Sequence, residues 1–393
     1  MRKMAITMDM LMYTCPRCKT CTGTMHPGEK EVESVCPAFT RYKYFTYAGG
    51  GKCYTAQGLL EGALQPDEDM AEVIYHCTLC KACSEQCAAH SAEPSEIARQ
   101  VRRELVAAGF GPPEAARGLV KSVQQNDNPY GAPRRMRGRW ARKLGLKDAS
   151  SEKVETLYFV GCTADLVPAR NHFAENTVGL LKAAGVDFGT LGENEFCCGA
   201  TVFNLGCADV FEEVARRNIE RLNSLGVERI VTSCAGCYSI LAHAYPEVAK
   251  VEYQVLSTPE YLDQLMQEGR LKPSKPLDLK VTYHDPCHLG RYCGVYDEPR
   301  RVLERLPGVE LVEMRRNREK SWCCGAGGGV KTSYPDFALW IGEQRVREAL
   351  ETGAQALVSA CPFCEGNLAD TVEAMGADIK VMDLTDLVLR SLE

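Results

Sequence analysis

The apolar residues Ile97, Val101 and Leu105 recur every four positions in an otherwise polar stretch, which predicts an amphipathic helix from about residue 95. The segment from Gly109 to Pro113 stops it, and Glu114 opens a second helical run to about Gln125. The polar stretch 126–133, with Pro129, Gly131 and Pro133, reads as a linker with a helix behind it through the basic residues up to Lys147. From about residue 153 the pattern changes to short β-branched or apolar runs alternating with helices. Strands are predicted at 156–160 and 229–232, with a helix ending at Ala184 and another spanning Val210 to Leu225; the same series begins again at 280–283. Such alternation predicts α/β architecture with a mainly parallel sheet. Residues 1–90 show little periodicity, as expected where metal ligation stands in for a hydrophobic core.

The restart is a repeat, because its landmarks keep a fixed offset. Cys162 and Cys287 differ by 125, Cys197 and Cys198 differ from Cys323 and Cys324 by 126, and Cys234 and Cys237 differ from Cys361 and Cys364 by 127. The flanks agree as well, with Cys-Cys-Gly-Ala at 197–200 and again at 323–326. Two homologous α/β lobes follow, at 151–272 and 277–393, joined through the stretch from Lys272 to Pro276. A helical segment at 95–150 separates them from a cysteine-rich N-terminal part at 1–94.

A chain of 393 residues is too long for one core, so two or three domains are expected; 45% hydrophobic and 25% charged residues supply ordinary globular interiors. The net charge of −6 gives no basic field to concentrate nucleic acid. No run reaches the roughly 18 apolar residues of a membrane span, and the start, from Met1 to acidic Asp9, holds no secretory core. A cytoplasmic protein without direct membrane insertion is expected. In that compartment the 21 cysteines point to metal rather than to disulfides.

Eight of them form two ferredoxin-type sets. Cys15, Cys18 and Cys21 are two residues apart, with Cys36 later; Cys77, Cys80 and Cys83 repeat that spacing, followed by Cys87. Three close thiolates reach three irons of a cubane, and the fourth iron is served by the other run. One set is therefore Cys15, Cys18, Cys21 and Cys87; the other is Cys77, Cys80, Cys83 and Cys36. Two departures stand out: fourteen residues separate Cys21 from Cys36, and Ala88 replaces the usual proline. Four-cysteine zinc sites share the two-residue spacing but present pairs rather than triplets, which leaves a zinc-stabilised, redox-inactive scaffold as the lesser alternative.

Ten more form two quintets: Cys162, Cys197, Cys198, Cys234 and Cys237, then Cys287, Cys323, Cys324, Cys361 and Cys364. Five thiolates exceed what one tetrahedral zinc accepts, and they sit at predicted strand ends or helix starts, where open α/β sheets place ligands. This spacing resembles the cysteine-rich CCG domain of heterodisulfide reductases. The whole layout, together with the stretches from Asn128 to Gly131 and from His284 to His288, is similar to their fused HdrCB or HdrD type. The resemblance implies a helical ferredoxin-like domain with two cubane [4Fe-4S] clusters, then two CCG lobes each holding a noncubane [4Fe-4S] cluster on one quintet. It implies an electron-transfer subunit fed by a flavoprotein (HdrA-like) subunit and other redox subunits, with a disulfide-type substrate reduced at the lobes or electrons passed on. An HdrB-like subunit of a class II benzoyl-CoA reductase complex is a variant. The iron–sulfur subunit of a glycolate or glycerol-3-phosphate dehydrogenase feeding quinone is a more distant relation, disfavoured by the complete first quintet.

Cys53, Cys207 and Cys293 fall outside every set and read as small buried hydrophobes. The glycine-rich run 325–329 does not fit a nucleotide fingerprint and is expected where backbone passes close to a cluster. His284, His288 and Arg291 flank Cys287 as candidate donors to sulfur or substrate, and Trp322 is expected to shield a cluster from water.

Overall fold

The computed structural model describes residues 15–25, 32–88 and 92–392; the start from Met1 to Asp9, expected to hold no secretory core, lies outside them. Two parallel sheets carry the lobes. The strands are, in chain order, β1 (Gly23–Met25), β2 (Val32–Ser34), β3 (Lys147–Asp148), β4 (Thr156–Phe159), β5 (Phe188–Thr190), β6 (Arg229–Thr232), β7 (Gln254–Ser257), β8 (Leu279–Tyr283), β9 (Val309–Leu311), β10 (Ala356–Ser359) and β11 (Lys380–Asp383). The first lobe orders them β3-β5-β4-β6-β7 and the second β9-β8-β10-β11, so apart from the edge strand β3 the two sheets share one topology. The registers repeat too: Thr156 pairs with Arg229 in one lobe and Val281 with Ala356 in the other, offsets of 125 and 127. Strands β4 and β10 are buried along their whole length, as sheets covered by helices on both faces require.

In each sheet the chain moves to one side of its first strand, then crosses back to the other. The crevice between β4 and β6, and that between β8 and β10, is a topological switch point, where an open parallel sheet offers the carboxyl ends of its strands to a ligand.

The lobes meet through helices on matching positions. Asn171–Ala183 of the first lobe packs on Leu384–Leu392 of the second, and Thr258–Gln267 packs on Asp297–Glu304. Each pair joins the helix after the first strand of one lobe to the last helix of the other, so the contact has approximate two-fold symmetry. One buried core, including Tyr158, Leu262, Leu303 and Leu387, runs through both.

Helices Pro94–Ala107 and Glu114–Asn126 form as the apolar spacing predicts, and their residues Ile97, Val101 and Val123 share a core with the first lobe. The helix expected behind the linker is absent: only short 3-10 turns, Arg134–Met136 and Arg139–Ala141, lie there. The reason is Arg137, whose side chain is fully buried and ion-paired with Asp165 and Glu195, which fixes the backbone through a partner far along the chain. The N-terminal part is more regular than its periodicity suggests, with helices Gly49–Leu60 and Glu68–Tyr75. The extra residues between Cys21 and Cys36 include the antiparallel ribbon β1–β2, which turns the chain back and leaves Cys36 at the start of helix Pro37–Tyr42.

Candidate metal centres

The two ferredoxin-type loops are wound alike. Arg17 and Lys19 flank Cys18 with φ of 59° and 65°, and Leu79 and Lys81 flank Cys80 with φ of 53° and 65°. Bulky residues hold the left-handed region only where surroundings impose it, and here the effect is to turn three successive thiols towards one point. Cys15, Cys18, Cys21 and Cys87 line one small cavity. Cys36, Cys77, Cys80 and Cys83 line another. Each long-range cysteine thus stands with the other run's triplet.

The helix Gly49–Leu60 enters between these two sets. A Cβ at Gly49 would stand 2.7 Å from Cβ of Cys83 and 3.2 Å from Cβ of Cys21, so only glycine fits. The Gly50 amide donates to Sγ of Cys21 at 3.1 Å. Lys52, almost wholly buried, lines the second cavity and donates from Nζ to the Tyr47 carbonyl at 2.8 Å. Sequence reasoning missed Lys52 and the three glycines; the signal was there in the run Gly49-Gly50-Gly51-Lys52, which no helix interior favours on propensity.

The second lobe docks onto the loop of Cys77 to Cys83. Arg291 donates to the Cys80 carbonyl at 2.5 Å and to the Ser321 carbonyl at 2.6 Å, and the Tyr292 hydroxyl donates to the Leu79 carbonyl at 2.9 Å. A Cβ on Gly328 would come 2.6 Å from the Cys77 carbonyl oxygen, and one on Gly327 would come 2.7 Å from that of Thr78, which explains the glycine run as close backbone approach. Arg102, fully buried, ties the same loop down by donating to the carbonyls of Cys77 and Gly328. The docking brings two cysteines together across the junction: Cys80 and Cys323 share one buried hydrophobic cluster with Cys36 and Trp322.

Both quintets sit at the switch points. Cys162 follows β4, Cys197 and Cys198 follow β5, and Cys234 follows β6 at the start of a helical turn; their counterparts follow β8, β9 and β10 in the same way. Cys361 stands at the N-terminus of helix Pro362–Met375, whose free amides favour negative charge on sulfur. All five cysteines of the first quintet, and Cys287, Cys324, Cys361 and Cys364 of the second, line a single partly open cavity. Cys323 instead faces Cys80. Across the cavity Cys234 faces Cys361, its own counterpart in the repeat, so this approach lies on the two-fold relation between the lobes. Tyr130, from the segment before the first lobe, and Phe363 of the second lobe, both substantially exposed, stand on the cavity's lining, and the Tyr130 hydroxyl shares a hydrogen bond with Thr163.

The electrostatics differ between lobes. Beside Cys162, Arg137 directs Nη2 to Sγ at 3.1 Å while Nη1 pairs with Asp165 at 3.0 Å and Glu195 at 3.4 Å. Burial opposes the guanidinium charge, but Cys162, Glu195 and Asp165 hold it charged. Beside Cys287, the buried Asp285 takes a bidentate pair from Arg300, at 2.7 and 3.0 Å, which braces the loop without reaching sulfur. Trp322, 2% exposed, donates to the Ile341 carbonyl and shares a core with Cys80 and Cys323. Of the three remaining cysteines, Cys53 is buried with its thiol against Cys15, Cys207 is buried in the first-lobe core, and Cys293 donates to the His288 carbonyl at 3.0 Å.

These surroundings fit iron–sulfur clusters on chemistry as well as on count. The donor sets are all thiols, and buried N–H groups on Arg137 (Nε), Arg291 (Nη2) and His284 (Nε2) have no partner among the described residues although all three side chains lie beside site cysteines. Cluster sulfur is an acceptor of that kind.

Fold and site together define an iron–sulfur oxidoreductase component. The cysteine-rich CCG domain family matches residues 156–242 and 281–369, and the 4Fe-4S dicluster domain family matches residues 11–91. The chain belongs to the HdrD family of heterodisulfide reductases: it is 40% identical to the HdrD polypeptide of the dihydromethanophenazine:CoB–CoM heterodisulfide reductase of Methanosarcina barkeri, over 98% of this chain and 94% of that one. It is also 34% identical to an EtfAB:quinone oxidoreductase of Syntrophomonas wolfei, over 85% of this chain but 48% of that longer protein. Among solved structures, a hypothetical protein from Helicobacter pylori shares the fold with a TM-score of 0.54 at 8% identity, covering 90% of this chain and 69% of that one. The chain accordingly binds iron–sulfur clusters. Among the described residues no helix is long and apolar enough to cross a membrane.

Proposed function

We propose that the four cysteine sets hold four [4Fe-4S] clusters, cubane on the two ferredoxin-type sets and noncubane on the two quintets, and that the chain conducts electrons from a flavoprotein partner to a disulfide in the cavity between the lobes. The observation that carries this reading is that the four sets stand in line: Gly49 lies against both Cys21 and Cys83, the loop of the second set docks on the second lobe, and cysteines of both quintets line one cavity. Cys18 is exposed, so electrons enter at the first set. The second set reaches the second lobe through Cys80 and Cys323, and the second lobe reaches the first through Cys361 and Cys234. The order along the wire is therefore second lobe before first.

The protein's own contribution is placement and exclusion of water. Buried Lys52, Arg291 and Arg137 offset thiolate charge along the path. The cavity lets both lobes face one substrate, so two electrons arriving singly and two protons convert a disulfide into two thiols. Anaerobic isolation followed by iron and acid-labile sulfide analysis should give about sixteen of each per chain, four for each cubane or noncubane centre, and EPR of the reduced protein should show two types of cluster. Zinc without sulfide, or a complete protein whose EPR spectrum is untouched by any disulfide, would sink it.

A further inference from the structure

His284 lies three residues before Cys287, at the end of β8, and is 1% exposed. Its Nδ1 faces Nε of Arg345 at 3.0 Å. A guanidinium has only donors, so Nδ1 must present its lone pair, and a neutral imidazole then carries its proton on Nε2. Arg345 is itself held: it is fully buried, donates to the Arg316 carbonyl at 2.7 Å and to Ser321 Oγ at 3.1 Å, and pairs with Glu348 at 2.8 Å. The tautomer of His284 is thereby fixed by groups that have no freedom to turn.

The proton on Nε2 has no acceptor among the described residues, although a ligand atom of His284 lies within 4.8 Å of Sγ of both Cys324 and Cys364. A histidine with two cysteines at that distance suggests a metal site. The hydrogen-bond arithmetic excludes it, since neither ring nitrogen retains a lone pair for a metal. What remains is an N–H aimed at sulfur.

The first lobe lacks this device. The residue three before Cys162 is Phe159, which donates nothing, and the residue in the place of Arg345 on the matching helix is Asn218, which donates to the Cys197 carbonyl and to the Tyr245 hydroxyl. Sulfur in the first lobe receives instead the charged Arg137.

We propose that His284, locked as its Nε2–H tautomer by Arg345, donates a hydrogen bond to sulfur of the second-lobe cluster and raises the reduction potential of that cluster alone. Reduction adds negative charge that spreads onto sulfur, so a donor at sulfur stabilises the reduced state more than the oxidised one. The inference rests on the quintets holding clusters as proposed above.

The test is an EPR-monitored redox titration of the anaerobically purified full-length holoprotein, with iron and sulfide counted and histidine labelled with 15N for hyperfine spectroscopy. Wild type should show histidine nitrogens coupled to one of two noncubane signals. His284→Phe, which copies the first lobe, should remove one histidine coupling while leaving that of His288, whose Nδ1 lies 3.3 Å from Cys287 Sγ, and should cut the reduced-to-oxidised ratio of that cluster about tenfold at a fixed potential, about 59 mV for one electron. The other cluster should be unmoved, and His284→Gln, which keeps an N–H donor, should recover most of the shift. An unchanged potential in His284→Phe with full iron overturns the proposal, and so does loss of one cluster from both variants, which would make His284 a ligand or a structural prop. Absence of noncubane signals from the wild type removes the cluster reading itself, and this inference with it.

Discussion

At the residue scale the sulfurs were the most readable part of the chain, because short spacings report local loop geometry and a duplicated spacing reports a duplicated fold. The same spacings group the thiols as the cavities do, with Cys87 beside Cys15 and Cys36 beside Cys77. That crossing has a measurable consequence: Cys36→Ala and Cys87→Ala should each remove a single cluster, a different one in each variant, whereas Cys53→Ala, which takes away only a thiol packed against Cys15, should retain full iron content. EPR and iron analysis of the three purified variants would decide it. The partners of the sulfurs were not readable. Lys52, Arg137 and Arg345 look like any other cation in the sequence, and their role comes from burial against groups distant in the chain, which local pattern does not encode.

At the scale of elements, α/β alternation and the repeat were legible because strands and helices of the lobes bury regular faces. The shared order β5-β4-β6-β7 and β9-β8-β10-β11 follows from that pattern. The short edge strand β3 and the turns around Arg137 were illegible, since tertiary contacts rather than periodicity hold them. One contact between elements carries charge that titrates. Glu365, at the start of helix Pro362–Met375, accepts from Arg170 and His172 of the other lobe at 3.2 and 3.1 Å. The hydrogen bond to Glu365 raises the pKa of His172, against the opposing effect of burial. A histidine whose folded pKa is raised stabilises fully below its unfolded value of about 6.5 and loses that contribution as pH rises through the folded value. Thermal unfolding should therefore show stability falling as pH is raised from about 6.5, and His172→Gln should flatten that slope. A slope unchanged by the substitution would place the titration elsewhere. Because His172 is partly exposed, the effect should be modest and should weaken with salt.

For the molecule as a whole, the central cavity defines what can reach the wire. Among the described residues lining it are Leu119, Tyr130, Phe363 and the hydroxyls of Thr163, Thr201 and Thr332, but no lysine, arginine, aspartate or glutamate. Two thiolate-rich centres flank it, and His288 on the same lining is already engaged by Cys287 Sγ at 3.3 Å, so an anionic ligand would enter a low-dielectric space against like charge without a free counter-ion. Disulfides with uncharged substituents should perturb the EPR spectrum of the holoprotein at lower concentration than analogues bearing carboxylate or phosphonate groups. The reverse order would show that cations outside the lining govern selection.

The meeting of Cys234 with Cys361 has a consequence for origin as well as for conduction. A residue touches its own equivalent only on a rotation axis, so two separate copies of one half, docked by the same helices, would enclose the same chamber as a symmetric pair. Joining the copies in one polypeptide kept the chamber and released each side from having to match the other. Phe159 opposite His284 is what such release looks like.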